Sequence, residues 1–440
     1  MKELKKVKGI KVAHRKLTAG FQTEVMPPPP VVYVSLSQHL GPPCTPLVQV
    51  GDKVAVGQPI GESEALFSAP VHATVSGTVR SIQTIRSLTG GEERVILINS
   101  DKKQTPWEGL TPPKAENKDE FIAAIRTCGL VGLGGAAFPT HVKFNPKNLD
   151  EVDTLIVNGA ECEPYITSDH RAMLEDTEDI IEGILLLMKF LELKKAYIGV
   201  ESNKENAIVK LKNEIKEKNV QGIEVVTLPA VYPQGAERVL VYEITGKPLK
   251  AGQLPASLGV ILANVNTVST VSKYFKTGMP LVSKRVTIDG SAIKRPKNVM
   301  VPIGTPISDI VDFCGGYQAP PKKMIMGGPM MGKAIFSDDF PIIKNTNAII
   351  ALSGDEAIAP KETACISCGK CFSACPFNLM PFALHKAYRV NDVEKLKKLD
   401  VMECMECGSC AYVCPARLPL GFINKIGKEL VKEASKNDKK

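Results

Sequence analysis

The sequence predicts a multidomain chain with an α/β centre, β-rich segments on either side and a small cysteine-rich module at the end. Three observations predict it. Short apolar runs alternate with helical spacing between about residues 117 and 270. Val, Gly, Pro and Thr dominate residues 1–105, and β character returns over 275–345. Eight of the twelve cysteines crowd into two runs near the C-terminus. A length of 440 residues suits about three or four domains.

The first segment holds VQVGDKVAVGQPIGES followed by FSAPVHATVSGTVRSI, apolar stretches broken by Gly-Asp and Ser-Gly turns that read as hairpins. It resembles the lipoyl/biotinyl barrel-sandwich family, which carries its cofactor on a lysine at a hairpin tip. Here no lysine lies between Lys53 and Lys102, and the tip reads Glu62-Ser63-Glu64-Ala65. A β scaffold or docking module is expected, not a swinging arm.

In the centre, Thr154–Val157, Ala196–Val200 and Ile223–Leu228 read as buried strands. A helix over 177–193 follows the first. Ser202-Asn203-Lys204-Glu205 has the form of a capping box, and Ile208, Leu211 and Ile215 continue at helical spacing. Alternating strands and helices imply a parallel sheet with ligand loops at the strands' carboxyl ends. VSKRVTIDG and GTPISDIVDFCGG then look like a ubiquitin-like β-grasp module, and Met380–Leu399 reads as helix and turn between the cysteine runs.

Charge and hydropathy exclude several classes. The net charge of +8 is mild, and no basic block interleaved with aromatics suggests nucleic acid. The tail KEASKNDKK reads as solvated. The opening MKELKKVKGIKV is too charged for a secretory signal, and no apolar stretch reaches membrane-spanning length. A cytosolic topology is expected.

The cysteines carry the chemistry. Cys365, Cys368, Cys371 and Cys375 precede Pro376; Cys404, Cys407, Cys410 and Cys414 precede Pro415. Each run is C-x-x-C-x-x-C-x-x-x-C-P, a [4Fe–4S] signature. Three thiolates so spaced wrap one cubane, and in two-cluster ferredoxins the fourth ligates the other cluster. One cluster is thus assigned Cys365, Cys368, Cys371 and Cys414, the other Cys404, Cys407, Cys410 and Cys375. Structural zinc uses four ligands in two pairs, and disulfides need an oxidising compartment. The scattered Cys44, Cys128, Cys162 and Cys314 read as buried thiols. His141 and His170 read as structural, and no catalytic Ser-His-Asp or H-E-x-x-H pattern occurs.

A second constellation lies in the α/β centre. Gly129-Leu-Val-Gly132-Leu-Gly134-Gly135-Ala136-Ala137-Phe138 is a glycine loop able to present backbone N–H groups to an anion. Asn158-Gly159-Ala160-Glu161-Cys162-Glu163-Pro164-Tyr165, Tyr232-Pro233-Gln234-Gly235-Ala236-Glu237 and Asn264-Val265-Asn266-Thr267 form polar loops where a parallel sheet binds ligands.

These motifs, with QHLGPP (Gln38–Pro43) and GGAAFPTHVK (Gly134–Lys143), resemble the NADH-oxidising flavoprotein subunit of respiratory complex I. They resemble more closely the RnfC family, one of the subunits of the Rnf ferredoxin:NAD oxidoreductase complex. The resemblance implies a barrel-sandwich hybrid over 1–105, a Rossmann-like FMN/NADH domain over 115–270, a β-grasp SLBB module over 275–345 and a two-cluster ferredoxin-like domain over 355–425. It implies that Gly132, Gly134 and Gly135 approach FMN and nucleotide, that Phe138 lies against a ring of NADH and that Lys143 faces phosphate. Asn158 and Glu161 would hydrogen-bond FMN, Glu163 would meet the nicotinamide with Glu237 nearby, and Asn264 and Thr267 would grip the flavin phosphate side. Ala137 and Ala160 depart from the family pattern. The implied activity is electron transfer between NAD(H), FMN and two [4Fe–4S] clusters, with no catalytic acid or base. Implied partners are the Rnf membrane subunits and, through them, ferredoxin, with the chain peripheral on the cytoplasmic face of the membrane. A soluble cobalamin reductase and a non-catalytic, cluster-bearing docking protein are the alternatives.

Overall fold

Strands of uninterrupted apolar residues have no face for solvent, so they settle in the middle of a sheet covered on both sides. The computed structural model, which describes residues 8–87, 90–359 and 361–437, shows this at its centre. Part of the charged opening and of the tail read as solvated lie outside the described residues. Four parallel strands are ordered Ile223–Leu228, Lys195–Glu201, Thr154–Gly159, Val260–Asn264. Leu155 and Val157 join the core beneath helices Thr177–Phe190 and Val265–Thr277, while Ile156 joins the opposite core with Leu240 and Val241 of helix Glu237–Thr245.

Two expectations are corrected here. Asn264 to Thr267 is not a closing loop: Val260–Asn264 is a fourth, fully buried strand, and Asn264 caps the next helix by accepting from Asn266 N–H at 2.9 Å. Nor does the capping box at Ser202–Glu205 form. The helix Glu205–Glu217 starts after Lys204 without a side-chain cap. Lys204 is instead drawn inward, 2.7 Å from the Glu201 carboxylate and donating to the Ala160 carbonyl at 2.6 Å. A working cap occurs at Asn117, whose side chain accepts from Glu120 N–H at 3.0 Å.

The barrel-sandwich region consists of antiparallel strands Val31–Ser35, Glu92–Ser100, Gly77–Arg86 and Lys53–Val54 facing Thr45–Pro46, Pro59–Glu62 and Val71–His72. Val32, Val34, Ile60, Val79, Ile96 and Ile98 fill it. Residues 8–26, expected to belong here, run elsewhere as an arm. Ile10 exchanges backbone hydrogen bonds with Tyr232, and Glu24–Val25 pairs in parallel with Val299–Met300 at the edge of the β-grasp sheet. That sheet continues through Lys297–Pro302, Ser283–Asp289, Ala348–Leu352, Lys323–Met326 and Lys333–Ile335, so it reaches beyond residue 345.

The cysteine-rich module repeats itself in backbone as well as sequence. Ser367 and Glu406 share positive φ (55° and 62°), as do Gly369 and Gly408 (74° and 76°) and Asn378 and Arg417 (57° each). Helices Pro381–Arg389 and Val393–Lys398 lie between the runs, and Leu420–Asn437 packs over them.

The domains meet around Gly129. Lys344, fully buried, donates to the carbonyls of Pro70 (2.6 Å) and Gly129 (2.7 Å) and so joins β-grasp, barrel and α/β centre. Gly129 has φ of +65°, and a Cβ there would stand 2.5 Å from the Pro70 oxygen. Gly129→Ala is predicted to cost roughly 1–3 kcal/mol, read as a lowered denaturation midpoint; a midpoint equal to wild type would contradict this packing.

Candidate functional site

The glycine loop is shaped by where its carbonyls go. Gly132 N–H donates to the Phe138 carbonyl at 2.8 Å and closes the loop. Lys284 of the β-grasp sheet donates to the Leu133 carbonyl at 3.2 Å, Asn345 donates to Gly135 O at 2.6 Å, and Leu40 N–H donates to Ala137 O at 2.9 Å. Leu133 N–H in turn donates to Thr267 Oγ1 at 3.0 Å. Among the described residues, no protein acceptor meets the N–H groups of Gly134, Gly135, Ala136 or Ala137. Ala137, the departure from glycine, still adopts a left-handed φ of 51°. Above Gly135 is open space: no atom lies within 4 Å of where a Cβ would stand.

Facing this loop are the ends of the sheet. Asn158 donates to the Gly235 carbonyl at 2.8 Å and accepts from Ala160 N–H, tying two loops together. Glu161 has φ of 52°. Its carboxylate accepts from the N–H groups of Asp169 (2.6 Å) and His170 (3.3 Å) at the start of helix Ser168–Glu175, and burial pushes its pKa up to about 7 despite Lys16. The Glu163 carboxylate accepts from Met330 N–H (3.0 Å) and Met331 N–H (2.8 Å) in the loop joining Lys323–Met326 to Lys333–Ile335. Asn264 and Asn266 both donate to Asp169, at 2.7 and 2.6 Å.

The side chains of Glu161, Glu163, Asn264 and Thr267 each hydrogen-bond a protein partner and so hold the loops in place. Lys143 and Glu237 face each other at 3.4 Å on a half-exposed rim. Phe138 meets Phe67 edge-on, ring centroids 5.7 Å apart. Phe67 comes from the barrel-sandwich region, close to the tip that lacks a lysine. That tip is docked here too: Glu62 pairs with Arg126 at 2.6 Å, and His141 Nε2 lies 3.2 Å from the Leu66 carbonyl.

Several contributors escaped the sequence reading. Gln234 is buried in the YPQGAE loop and its Nε2 has no partner, as does Thr140 Oγ1 beside the glycine loop. The first lay within a motif and could have been singled out. Lys16, Lys284 and Asp169 carry no sequence signal, because only the tertiary fold brings them in. An unpartnered amide donor, unbonded successive N–H groups and open space over Gly135 fit a flavin mononucleotide, which needs donors at its phosphate and ring edge.

The cysteines converge from both runs. Cys375 lines one cavity with Cys404, Cys407 and Cys410, while Cys371 and Cys414 share an apolar cluster with Cys410, Leu418 and Leu420. Cys365 and Cys368 are exposed. Among the described residues no group of three or more His, Cys, Asp or Glu side chains could hold a single metal ion. Cys404 Sγ accepts from Glu406 N–H at 3.4 Å and from Asn424 Nδ2 at 3.5 Å. Eight thiols in this disposition fit two [4Fe–4S] clusters.

The second run is joined to the α/β domain. Tyr232 donates its hydroxyl proton to the Cys407 carbonyl at 2.6 Å. Arg238 donates to the Glu403 carbonyl at 2.9 Å and stands over the Phe377 ring at 3.9 Å. Cys162, Tyr232, Ala374 and Cys407 pack in one apolar cluster. Loops of the flavin-type site therefore abut the cavity of Cys375, Cys404, Cys407 and Cys410.

Comparison with known proteins agrees with this anatomy. Residues 4–103 match the RnfC barrel sandwich hybrid domain, 125–273 the Nuo51 FMN-binding domain, 285–334 the SLBB domain and 364–418 a 4Fe-4S dicluster domain. The RnfC protein of the proton-translocating ferredoxin:NAD(+) oxidoreductase complex of Clostridium ljungdahlii is 42% identical over 84% of this chain and 81% of its own. That of the Na(+)-translocating complex of Acetobacterium woodii is 39% identical, covering 85% of each. Its counterpart in the ion-translocating oxidoreductase complex of Rhodobacter capsulatus is 38% identical over 92% of this chain and 79% of its own. An NAD+-reducing [NiFe]-hydrogenase in the H2-reduced state has a similar fold, with a TM-score of 0.52 at 16% identity over 74% of this chain and 64% of that one. Identity, coverage and domain order together place the chain in the RnfC family, a component of ion-translocating ferredoxin:NAD(+) oxidoreductase complexes.

Proposed function

We propose that this chain is the NAD(H)-reacting member of an ion-translocating ferredoxin:NAD oxidoreductase, exchanging electrons between NAD(H), FMN and two [4Fe–4S] clusters. The observation that carries this reading is the join between the YPQGAE loop and the second cysteine run through Tyr232 and Cys407. FMN, when bound, accepts a hydride's two electrons together and releases them singly, and the clusters carry one each.

The chain's own residues supply the rest. Gly132, Gly134 and Gly135 leave room for the flavin and nucleotide backbone, and the N–H groups of 134–137 bind phosphate. Phe138, with Lys143 and Glu237 on the rim, orients the nicotinamide nucleotide. Asn158 holds the two loops at the spacing the ring needs, and Glu161, Glu163, Asn264 and Thr267 lock the cradle through the contacts described. The set Cys404, Cys407, Cys410 and Cys375 would hold the cluster nearer the flavin site, with Cys407 packed against Tyr232 and Cys162. The set Cys365, Cys368, Cys371 and Cys414 would hold the other cluster, and its exposed members Cys365 and Cys368 stand beside exposed Ile366 and Phe372, where a partner protein can exchange electrons.

No helix among the described residues is long and apolar enough to cross a membrane. Ion translocation therefore falls to partner proteins of the complex, and we place this chain peripherally on the cytoplasmic face, with ferredoxin electrons arriving through those partners. No observation favours a cobalamin reductase or a non-catalytic adaptor.

Anaerobic titration of the cluster-loaded chain with NADH tests the reading. Flavin absorbance should bleach first and cluster absorbance follow; full cluster content with no flavin bleaching would reject it. Cys404→Ser should lower iron content while leaving flavin reduction by NADH intact, and the remaining cluster should then stay oxidised. If that cluster is reduced at the wild-type rate, the proposed order is wrong. Tyr232→Phe should retain flavin and clusters, cost about 1 kcal/mol in stability, and slow cluster reduction relative to flavin reduction in stopped-flow absorbance.

A further inference from the structure

The arm of residues 8–26 has no role in the function proposed above, yet it sends one charged side chain into the cofactor site. Lys16 Nζ donates to three carbonyls of one loop: Glu161 (2.8 Å), Glu163 (2.8 Å) and Ile166 (2.5 Å). It also stands 3.9 Å from the Glu161 carboxylate. Lys204, from the other side of the same loop, takes the Ala160 carbonyl at 2.6 Å. Four carbonyls between Ala160 and Ile166 are thus turned onto two buried ammonium groups.

The consequence follows from peptide geometry. In a trans peptide the N–H points opposite to the C=O. With Ala160 O and Glu161 O drawn to the lysines, the N–H groups of Glu161 and Cys162 are directed away from them. Among the described residues neither N–H meets a protein acceptor. Successive free N–H groups of this kind form an anion-binding concavity. The left-handed φ of Glu161, 52°, is the conformation through which the loop makes the turn.

The arm holds Lys16 firmly in this place. His14 O accepts from Tyr165 N–H at 2.9 Å, and Thr18 Oγ1 lies 2.5 Å from Thr167 Oγ1. Beyond these, Lys297 pairs with Glu24 at 2.7 Å.

We infer that Lys16 is a positioning residue of the flavin site: by gathering the carbonyls of 161–166 it leaves the N–H groups of Glu161 and Cys162 free to donate to a bound flavin, whose reduced form its charge would favour. This rests on the FMN-binding reading above. A compact ammonium can meet three convergent carbonyls, whereas a planar guanidinium cannot keep all three. Lys16→Met removes both the geometry and the charge; Lys16→Arg removes the geometry and keeps the charge.

The test uses the full-length, cluster-loaded chain with three readouts: FMN affinity by quenching of flavin fluorescence, flavin midpoint potential by spectroelectrochemistry, and iron content with denaturation midpoint. Lys16→Met should weaken FMN binding by about tenfold or more, the loss of a charge-assisted hydrogen bond, and shift the flavin potential to more negative values at unchanged iron content. Lys16→Arg should bind FMN weakly but hold a potential closer to wild type. Glu24→Gln, which removes a distant ion pair of the arm and leaves the anchors at His14 and Thr18 beside Lys16 intact, should bind FMN as wild type does. Wild-type affinity and potential in both Lys16 variants would overturn the inference. So would loss of clusters and folding in both, since Lys16 would then be a folding residue. If the wild-type chain itself binds no FMN, the fault lies with the proposed function instead.

Discussion

Everything at the cofactor site depends on how the backbone disposes of its carbonyl groups. A loop can offer N–H groups to a ligand only if something else occupies the opposite ends of its peptides. Here the occupants come from outside the α/β domain. Lys284 of the β-grasp sheet, Asn345 of the turn before its strand Ala348–Leu352 and Leu40 of the barrel take carbonyls of the glycine loop. Lys16 of the arm takes those of the loop opposite. The α/β domain supplies the cradle and its neighbours hold it open, which gives a physical reason for four domains to be built into one chain.

Much of this could be read from the residues, because it rests on local rules. The cysteine spacing carries its chemistry with it, and Thr154–Gly159, Lys195–Glu201 and Ile223–Leu228 announce themselves as short apolar runs between turns. Val260–Asn264 did not, since it runs straight into a helix whose cap, Asn264, looks like a loop residue. The capping box at Ser202 failed because the burial of Lys204 against Glu201 outweighs a local cap. The loops around the site were legible as motifs, but what each side chain does was not. Glu161 and Glu163 sit in a polar motif, yet their carboxylates are consumed by N–H groups at residues 169, 170, 330 and 331. Such contacts join distant parts of the chain and leave no periodic trace.

In the barrel-sandwich region the tip Glu62-Ser63-Glu64-Ala65 is tied to Arg126 through Glu62. Its aromatic neighbour Phe67 meets Phe138. The hairpin serves as a fixed wall of the adjoining site.

The duplicated cysteine runs have nearly the same backbone, down to matching left-handed residues at 367 and 406, 369 and 408, 378 and 417. Their surroundings differ. Cys365 and Cys368 face solvent, whereas Cys407 is covered by Tyr232 and Cys162. Identical cages in unlike media differ in the work of adding a charge, because solvent exposure and hydrogen bonding to sulfur set that work. A symmetric pair of halves thus acquires a front and a back, and the direction in which an electron travels downhill is written in the packing around the cages and not in the cages themselves.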